Sequence, residues 1–187
     1  MPIAPPPQLK AGLFARGSGT LKPPKKTATG APPAKGPKGI PIEHRIGIQA
    51  PAEVIWGLIY DLKSWEVWNP IYTKAAGDIR IGSTLEMTLE LPGQAAQQIK
   101  PVVLEWVPNE QLHWRLTMMG GLIKTLRYIE IEALGPANCV VDNGELFSGF
   151  MGPSLGKRVG RTVQRGFRAM NEALKARAEA AWAAKRD

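Results

Sequence analysis

Between residues 84 and 118 polar and apolar side chains alternate. Leu85, Met87, Leu89 and Leu91 share one phase, with Thr84, Glu86, Thr88 and Glu90 on the other. Leu112, Trp114, Leu116 and Met118 alternate in the same way with Gln111, His113, Arg115 and Thr117. A period of two places each set on one face, so both runs predict half-buried antiparallel strands. Gly82, Pro92-Gly93, Pro108-Asn109, Gly120-Gly121 and Gly135-Pro136 punctuate the region. The pattern predicts about seven strands, near residues 42–49, 75–81, 84–91, 96–107, 111–119, 124–134 and 138–148. Pro101 cannot donate to a ladder and marks an edge or a bulge in the fourth.

Helical spacing appears at three places. Val54, Ile55, Leu58 and Ile59 predict a short helix over about 51–61, entered through Pro51. Trp65 and Trp68 sit on a second short turn that Asn69-Pro70 stops. The third is long, about 154–183. Leu155, Val159, Val163, Phe167, Met170, Leu174, Ala178 and Trp182 gather on one side of it, while Arg158, Arg161, Arg165, Arg168, Glu172, Lys175 and Glu179 gather opposite. Gly166 interrupts the apolar stripe. Glycine in a helix interior costs roughly 1 kcal/mol against alanine. Its presence points to close approach of the sheet or to a gap kept open beside Phe167.

The fold class is therefore α+β. A curved antiparallel sheet and a long C-terminal helix must cover each other's apolar faces. Such a sheet, wrapped around a helix, leaves a gap suited to an apolar ligand.

Charge changes the picture only at the N-terminus. Residues 1–40 hold seven basic residues and no acid, nine of the 17 prolines and six of the 20 glycines. Their composition predicts a disordered tail, with the folded domain over 41–187. The body holds 17 basic and 16 acidic residues, so the net charge of +8 describes the tail. A single cysteine, Cys139, excludes an intramolecular disulfide. Two distant histidines, His44 and His113, offer no metal-ligand spacing, and no metal or other cofactor is expected. No apolar run reaches the ~20 residues that span a bilayer, and no secretory signal opens the chain, so a cytoplasmic location is expected. Gly152–Arg158 mimics a phosphate loop but has one residue too few between its glycines.

The candidate chemistry lies in aromatic, Met and buried charged positions. Trp65, Trp68, Tyr72, Met87, Trp106, Trp114, Met118, Phe147, Phe167 and Met170 could be plain core or the soft wall of a ligand site. Phe150 and Met151 stand among glycines and read as an apolar lip at a pocket mouth. Glu145 shares phase with Cys139, Val141 and Phe147, and Arg127 with Thr125, Ile129 and Ile131. Both are expected to face inward, as a structural ion pair or as a ligand-orienting or acid/base pair, because a buried carboxylate needs a partner or a raised pKa. Glu86 and Glu90 oppose an apolar phase and are expected on the outer face. Cys139 is expected to be a buried, inert thiol.

Four motifs in order carry a resemblance: Ile48–Trp56 at the strand-to-helix entry, Trp65-Glu66-Val67-Trp68-Asn69-Pro70, Glu145–Gly149 ending the last strand, and Phe167–Lys175 on the final helix. With these the chain resembles the START/Bet v 1-like (SRPBCC) superfamily of helix-grip proteins, in its polyketide cyclase/dehydratase-like branch. The resemblance spans about residues 42–180. It implies the helix-grip fold and a cavity between sheet and C-terminal helix. Related sequences often carry a His-aromatic pair early in the sixth strand, where this chain reads Leu126-Arg127-Tyr128. Function must come from the site. The leading expectation is binding of a hydrophobic small molecule, lipid-like or polycyclic, with Arg127 and Glu145 orienting its polar end. The alternatives are a cyclase or dehydratase in which Glu145 moves a proton, and a nucleic-acid or anionic-membrane binder using the tail and the Arg158–Lys175 face. Nucleic acid is the less expected partner, and the sequence is silent on oligomeric state.

Overall fold

The structure, a computed structural model, describes residues 39–186. The tail expected over 1–40 lies outside the described residues except for Gly39 and Ile40, and Ile40 already belongs to the first strand. In chain order the elements are β1 (Ile40–Ile48), α1 (Ala52–Tyr60), α2 (Trp65–Trp68), β2 (Tyr72–Ala76), β3 (Glu86–Leu89), β4 (Gln97–Ile99), β5 (Val102–Val107), β6 (Gln111–Met118), β7 (Ile123–Gly135), β8 (Asn138–Ser148) and α3 (Gly152–Ala183). Single 3-10 turns precede α2 and join β6 to β7.

All pairings are antiparallel. One sheet has the order β1-β8-β7-β6-β5 and the other β2-β3-β4. Helix α3 lies against β1 and β8. The arrangement is the α+β sheet-and-helix architecture that the periodicity predicts.

Two expectations need correction. The predicted fourth strand, 96–107, is two strands, so the total is eight. The break falls at Lys100-Pro101, where Pro101 has no N–H to offer and its carbonyl instead accepts from the Leu85 amide at 2.8 Å. Gly82 and Val103 continue the join, the Gly82 amide donating to Val103 and the Val103 amide to Ser83. This short ladder carries the chain from one sheet to the other. The predicted strand 75–81 lies earlier, at Tyr72–Ala76. Asn69 explains the shift, because its Oδ1 accepts from the amides of Ile71 and Tyr72 at 3.1 and 3.0 Å. The side chain turns the backbone straight into the strand.

The core joins both sheets to one face of each helix, with Ile55, Ile59, Trp65, Leu85, Leu112, Val141, Met170 and Leu174 all buried. Arg158, Arg161, Arg165 and Arg168 are exposed on the far side of α3. Gly166 marks a close approach. A Cβ there would sit 3.1 Å from both Ile71 Cγ2 and Leu91 Cδ2. Gly144 does similar work on β8. Its missing side chain lets the Tyr128 ring lie across the strand and donate to Glu43 on β1 at 2.7 Å. No helix of the described residues is long and apolar enough to cross a membrane.

Candidate functional site

A cavity of about 30 Å³ lies between the sheets and α3. Leu89, Leu91 and Ile99 line it from the three-stranded side, Trp114, Leu116, Thr125 and Glu145 from the five-stranded sheet, and Val163 and Phe167 from α3. Tyr72 completes the wall. The alternation of β6, β7 and β8 aims these side chains inward. Other hollows, such as that among Lys63, Glu66, Lys74 and Glu86, are larger but open, and lie away from the helix–sheet gap.

Three of the lining residues are polar. Tyr72 is buried. Burial pushes its hydroxyl above the ordinary phenol value, with the Arg127 guanidinium pulling it partly back. Glu145 is half-buried by surface but crowded by protein, as befits a group on a cavity wall. Desolvation raises its carboxyl above the usual carboxylate range, and Thr125 and Arg127 only partly offset this. The buried Thr125 hydroxyl lies close enough to ease that charge, yet makes no well-formed hydrogen bond to any group. Buried hydroxyls are rarely left so, because an unmade bond costs about 1–3 kcal/mol.

Behind this wall sits Arg127, only 1 % exposed. Its guanidinium lies 4.0 Å from the Phe167 ring centroid and 5.3 Å from that of Trp114. Nη1 donates to the Tyr128 and Gly144 carbonyls at 2.6 and 2.8 Å. Nε donates to the Tyr72 hydroxyl at 3.3 Å, and Nη2 reaches Met170 Sδ at 3.8 Å. The expected ion pair with Glu145 does not form. The two are directly opposed across β7 and β8, but no oxygen of Glu145 comes within 4 Å of the guanidinium. Carbonyls and aromatic faces hold the cation instead. Arg127 therefore fixes Tyr72 and Phe167 from behind and does not itself line the cavity.

The other candidates fall into separate places. Trp65 is buried, and its Nε1 donates to the Leu58 and Ile59 carbonyls at 3.1 Å each, a structural role. It stacks at a tilt on Tyr72 and Trp114, one layer behind the wall. Trp68 is half-buried against Trp65, with an indole nitrogen that finds no partner. Met87 is core of the three-stranded sheet, paired between Ala75 and Ile99. Met170 is core beneath the guanidinium. Phe147 is buried beneath Gly156, and Met118 is half-buried at the end of β6. Phe150 stands 89 % exposed. Trp106 does not line the cavity. It stacks on Trp56 at 6.2 Å and meets Tyr60 at 5.8 Å, against α1.

Sequence reasoning passed over a second buried polar group. Asn143 Nδ2 donates to Asn171 Oδ1 at 2.7 Å, and Asn171 Nδ2 donates to the His44 carbonyl at 2.9 Å. This fastens β8 to α3 and β1. Asn143 shares the inward phase of Val141 and Glu145, which was the available signal. Cys139 is buried, and burial pushes its thiol up. Glu86 is outward and pairs with Lys100 at 2.8 Å. No group of three or more His, Cys, Asp or Glu among the described residues is placed to hold a metal ion.

A family model described as "Polyketide cyclase / dehydrase and lipid transport" matches residues 40–179. No curated protein sequence matches the chain. Among solved structures, a START superfamily protein from Mycobacterium smegmatis is similar with a TM-score of 0.61 at 22 % identity, covering 74 % of this chain and 97 % of that one. The Zhui aromatase/cyclase from Streptomyces sp. R1128 is similar with a TM-score of 0.62 at 14 % identity, over 76 % of this chain and 94 % of that one. Norcoclaurine synthase from Thalictrum flavum, in complex with dopamine and hydroxybenzaldehyde, gives 0.57 at 20 %, over 74 % and 86 %. At these identities the likeness establishes the fold.

Proposed function

Because the chain belongs to the polyketide cyclase / dehydrase and lipid transport family, we propose that it binds a hydrophobic small molecule with one polar end in the gap between sheets and α3. The observation that carries this reading is the buried Thr125 hydroxyl set beside the Glu145 carboxyl and the Tyr72 phenol on a wall that is apolar elsewhere. A ligand oxygen placed there satisfies the hydroxyl and the carboxyl. The Tyr72 oxygen accepts from Arg127, which leaves the phenolic proton free to donate toward the same point. Apolar lining with a few convergent polar groups is the ordinary chemistry of a small-molecule pocket.

The cavity is narrow, with room for about one water. Binding therefore requires the walls to part. Leu89, Leu91 and Ile99 belong to the β3–β4 hairpin region, which joins the larger sheet through residues 82–85 and 101–103. That hairpin is the wall that moves in this reading, and a ligand stabilises the open state by its differential affinity.

A cyclase reading has its own supporting observation. A carboxyl with a raised pKa beside a phenol donor can shuttle a proton while the phenol polarises a carbonyl. Both readings use one site and differ in whether the bound molecule changes.

The test is native mass spectrometry of the purified full chain, joined to titration with a fatty acid and a polycyclic aromatic while tryptophan emission is followed. The expected result is a co-purifying small molecule, or a saturable emission change that Glu145→Gln shifts. A chain that carries no adduct and gives no saturable response to either probe refutes the pocket. Turnover of a polyketide-like substrate that Glu145→Gln abolishes selects the cyclase reading.

A further inference from the structure

Two loops meet at one end of the sheet. The β6–β7 turn follows Met118, and the β8–α3 turn follows Ser148. The Met151 amide donates to the Leu122 carbonyl at 3.0 Å, and Ser148 Oγ donates to the Lys124 carbonyl at 3.0 Å. The loops are thus tied together by hydrogen bonds. On them stand Phe150, Met119, Leu122 and Met151, exposed by 89, 61, 45 and 39 %. Scattered single apolar residues need no explanation, but four on two joined loop tips form a patch. Met119 has φ 52°, a left-handed backbone that costs a non-glycine residue energy. The turn tolerates that cost while its side chain stays in solvent.

The surroundings carry one sign of charge. Residues 111–129 and 146–171, which supply both loops and their flanks, contain no acidic residue. Lys124 follows the first loop, and Lys157, Arg158 and Arg161 follow the second, all exposed and none in an ion pair among the described residues. Lys157 and Arg158 stand five and six residues past Gly152, roughly 8–9 Å back along the helix at 1.5 Å per residue. Apolar groups of interfacial proteins enter the headgroup boundary by about 5–10 Å. Apolar tips that enter by that much bring these cations to the phosphates.

We propose that this end of the domain docks on an anionic lipid bilayer, with Phe150, Met151, Met119 and Leu122 inserted and Lys124, Lys157 and Arg158 on the headgroup phosphates. The occupant is a bilayer because the apolar residues project from loop tips. A fluid interface accepts such points without a complementary socket, and the uniform positive rim matches a uniform negative surface. The inference is independent of whether the cavity holds a ligand. It differs from binding by the N-terminal tail and the Arg158–Lys175 helix face, because it places the contact on the apolar tips of two joined loops, with the helix cations only at their rim.

The experiment uses the full chain and vesicles of phosphatidylcholine, with or without about one-third phosphatidylglycerol. A Phe150→Cys variant is labelled with the environment-sensitive dye NBD. The Cys139 thiol is buried and is left unlabelled. The expected results are flotation with anionic vesicles only, a blue shift of the dye on binding, and about a tenfold loss of partitioning in Phe150→Ser. Flotation with the dye still in water shows that the tail alone binds and overturns the proposal. So does an absence of flotation. A dye shift produced by soluble polyglutamate and not by vesicles gives the surface to an acidic protein instead. Self-association dispersed by Phe150→Ser, without vesicle binding, gives it to a second copy.

Discussion

Two aromatic clusters flank the fold, and they differ in one ingredient. Trp56, Tyr60 and Trp106 stack on one another between α1 and β5, with Trp56 and Trp106 nearly parallel at 8°. Tyr72, Trp114 and Phe167 instead surround a buried guanidinium and open on a cavity that also receives Glu145. As sequence the two sets are alike, aromatic residues on amphipathic elements. The first is explained by area burial and stacking alone. The second keeps a cation, a carboxyl and an unpaired hydroxyl in the interior, which stability alone does not require. Polar groups inside an aromatic wall are what mark the second cluster as the candidate site.

That contrast breaks most sharply at Arg127. Arg127→Ala leaves the Tyr128 and Gly144 carbonyls without their donor and opens a void beneath Phe167. Chemical denaturation should show a loss of about 3–5 kcal/mol, the range of large buried truncations with unsatisfied partners. A loss below about 1 kcal/mol means the guanidinium does not hold this wall together.

The two clusters can next be compared directly. Trp114 is 2 % exposed and lines the cavity, while Trp106 is half-buried and does not. Trp114→Phe should cost about 2 kcal/mol and weaken the response to apolar probes, and Trp106→Phe about 1 kcal/mol with that response unchanged. Equal effects on probe binding would make the cluster at α1 part of the site.

The smallest effect sharpens the role of Glu145. Its carboxyl is raised in the folded chain by desolvation. The folded state then holds a proton that the unfolded state has released. Stability from this group is full below the ordinary carboxyl value of 4.5 and declines as pH rises through the raised folded value. Glu145→Gln should remove that decline, so its melting temperature gains on the parent as pH increases. Parallel curves across the range would show that the carboxyl is not buried as described.

The Leu112–Met118 alternation and the long stripe on α3 specified the sheet, the final helix and the fact that they cover each other. Period is a local property, and it survives into the fold because each element has one face to bury. Arg127 and Glu145 were legible as inward-facing for the same reason, since strand phase assigns a face. Their relation was not legible. Opposed register predicts a pair, but the guanidinium turned to the carbonyl of the next residue on β7 and to a carbonyl, a phenol and a ring that arrive from β8, β2 and α3. The placement of Trp106 away from Trp114 also depends on which helix packs over which strand. The orphaned Thr125 hydroxyl and the joined loops that carry Phe150 arise in the same way. Each depends on which residues far apart in the chain become neighbours, and local periodicity carries no record of that. The sequence by itself determined which faces are buried, and only the tertiary structure decided what each buried group touches.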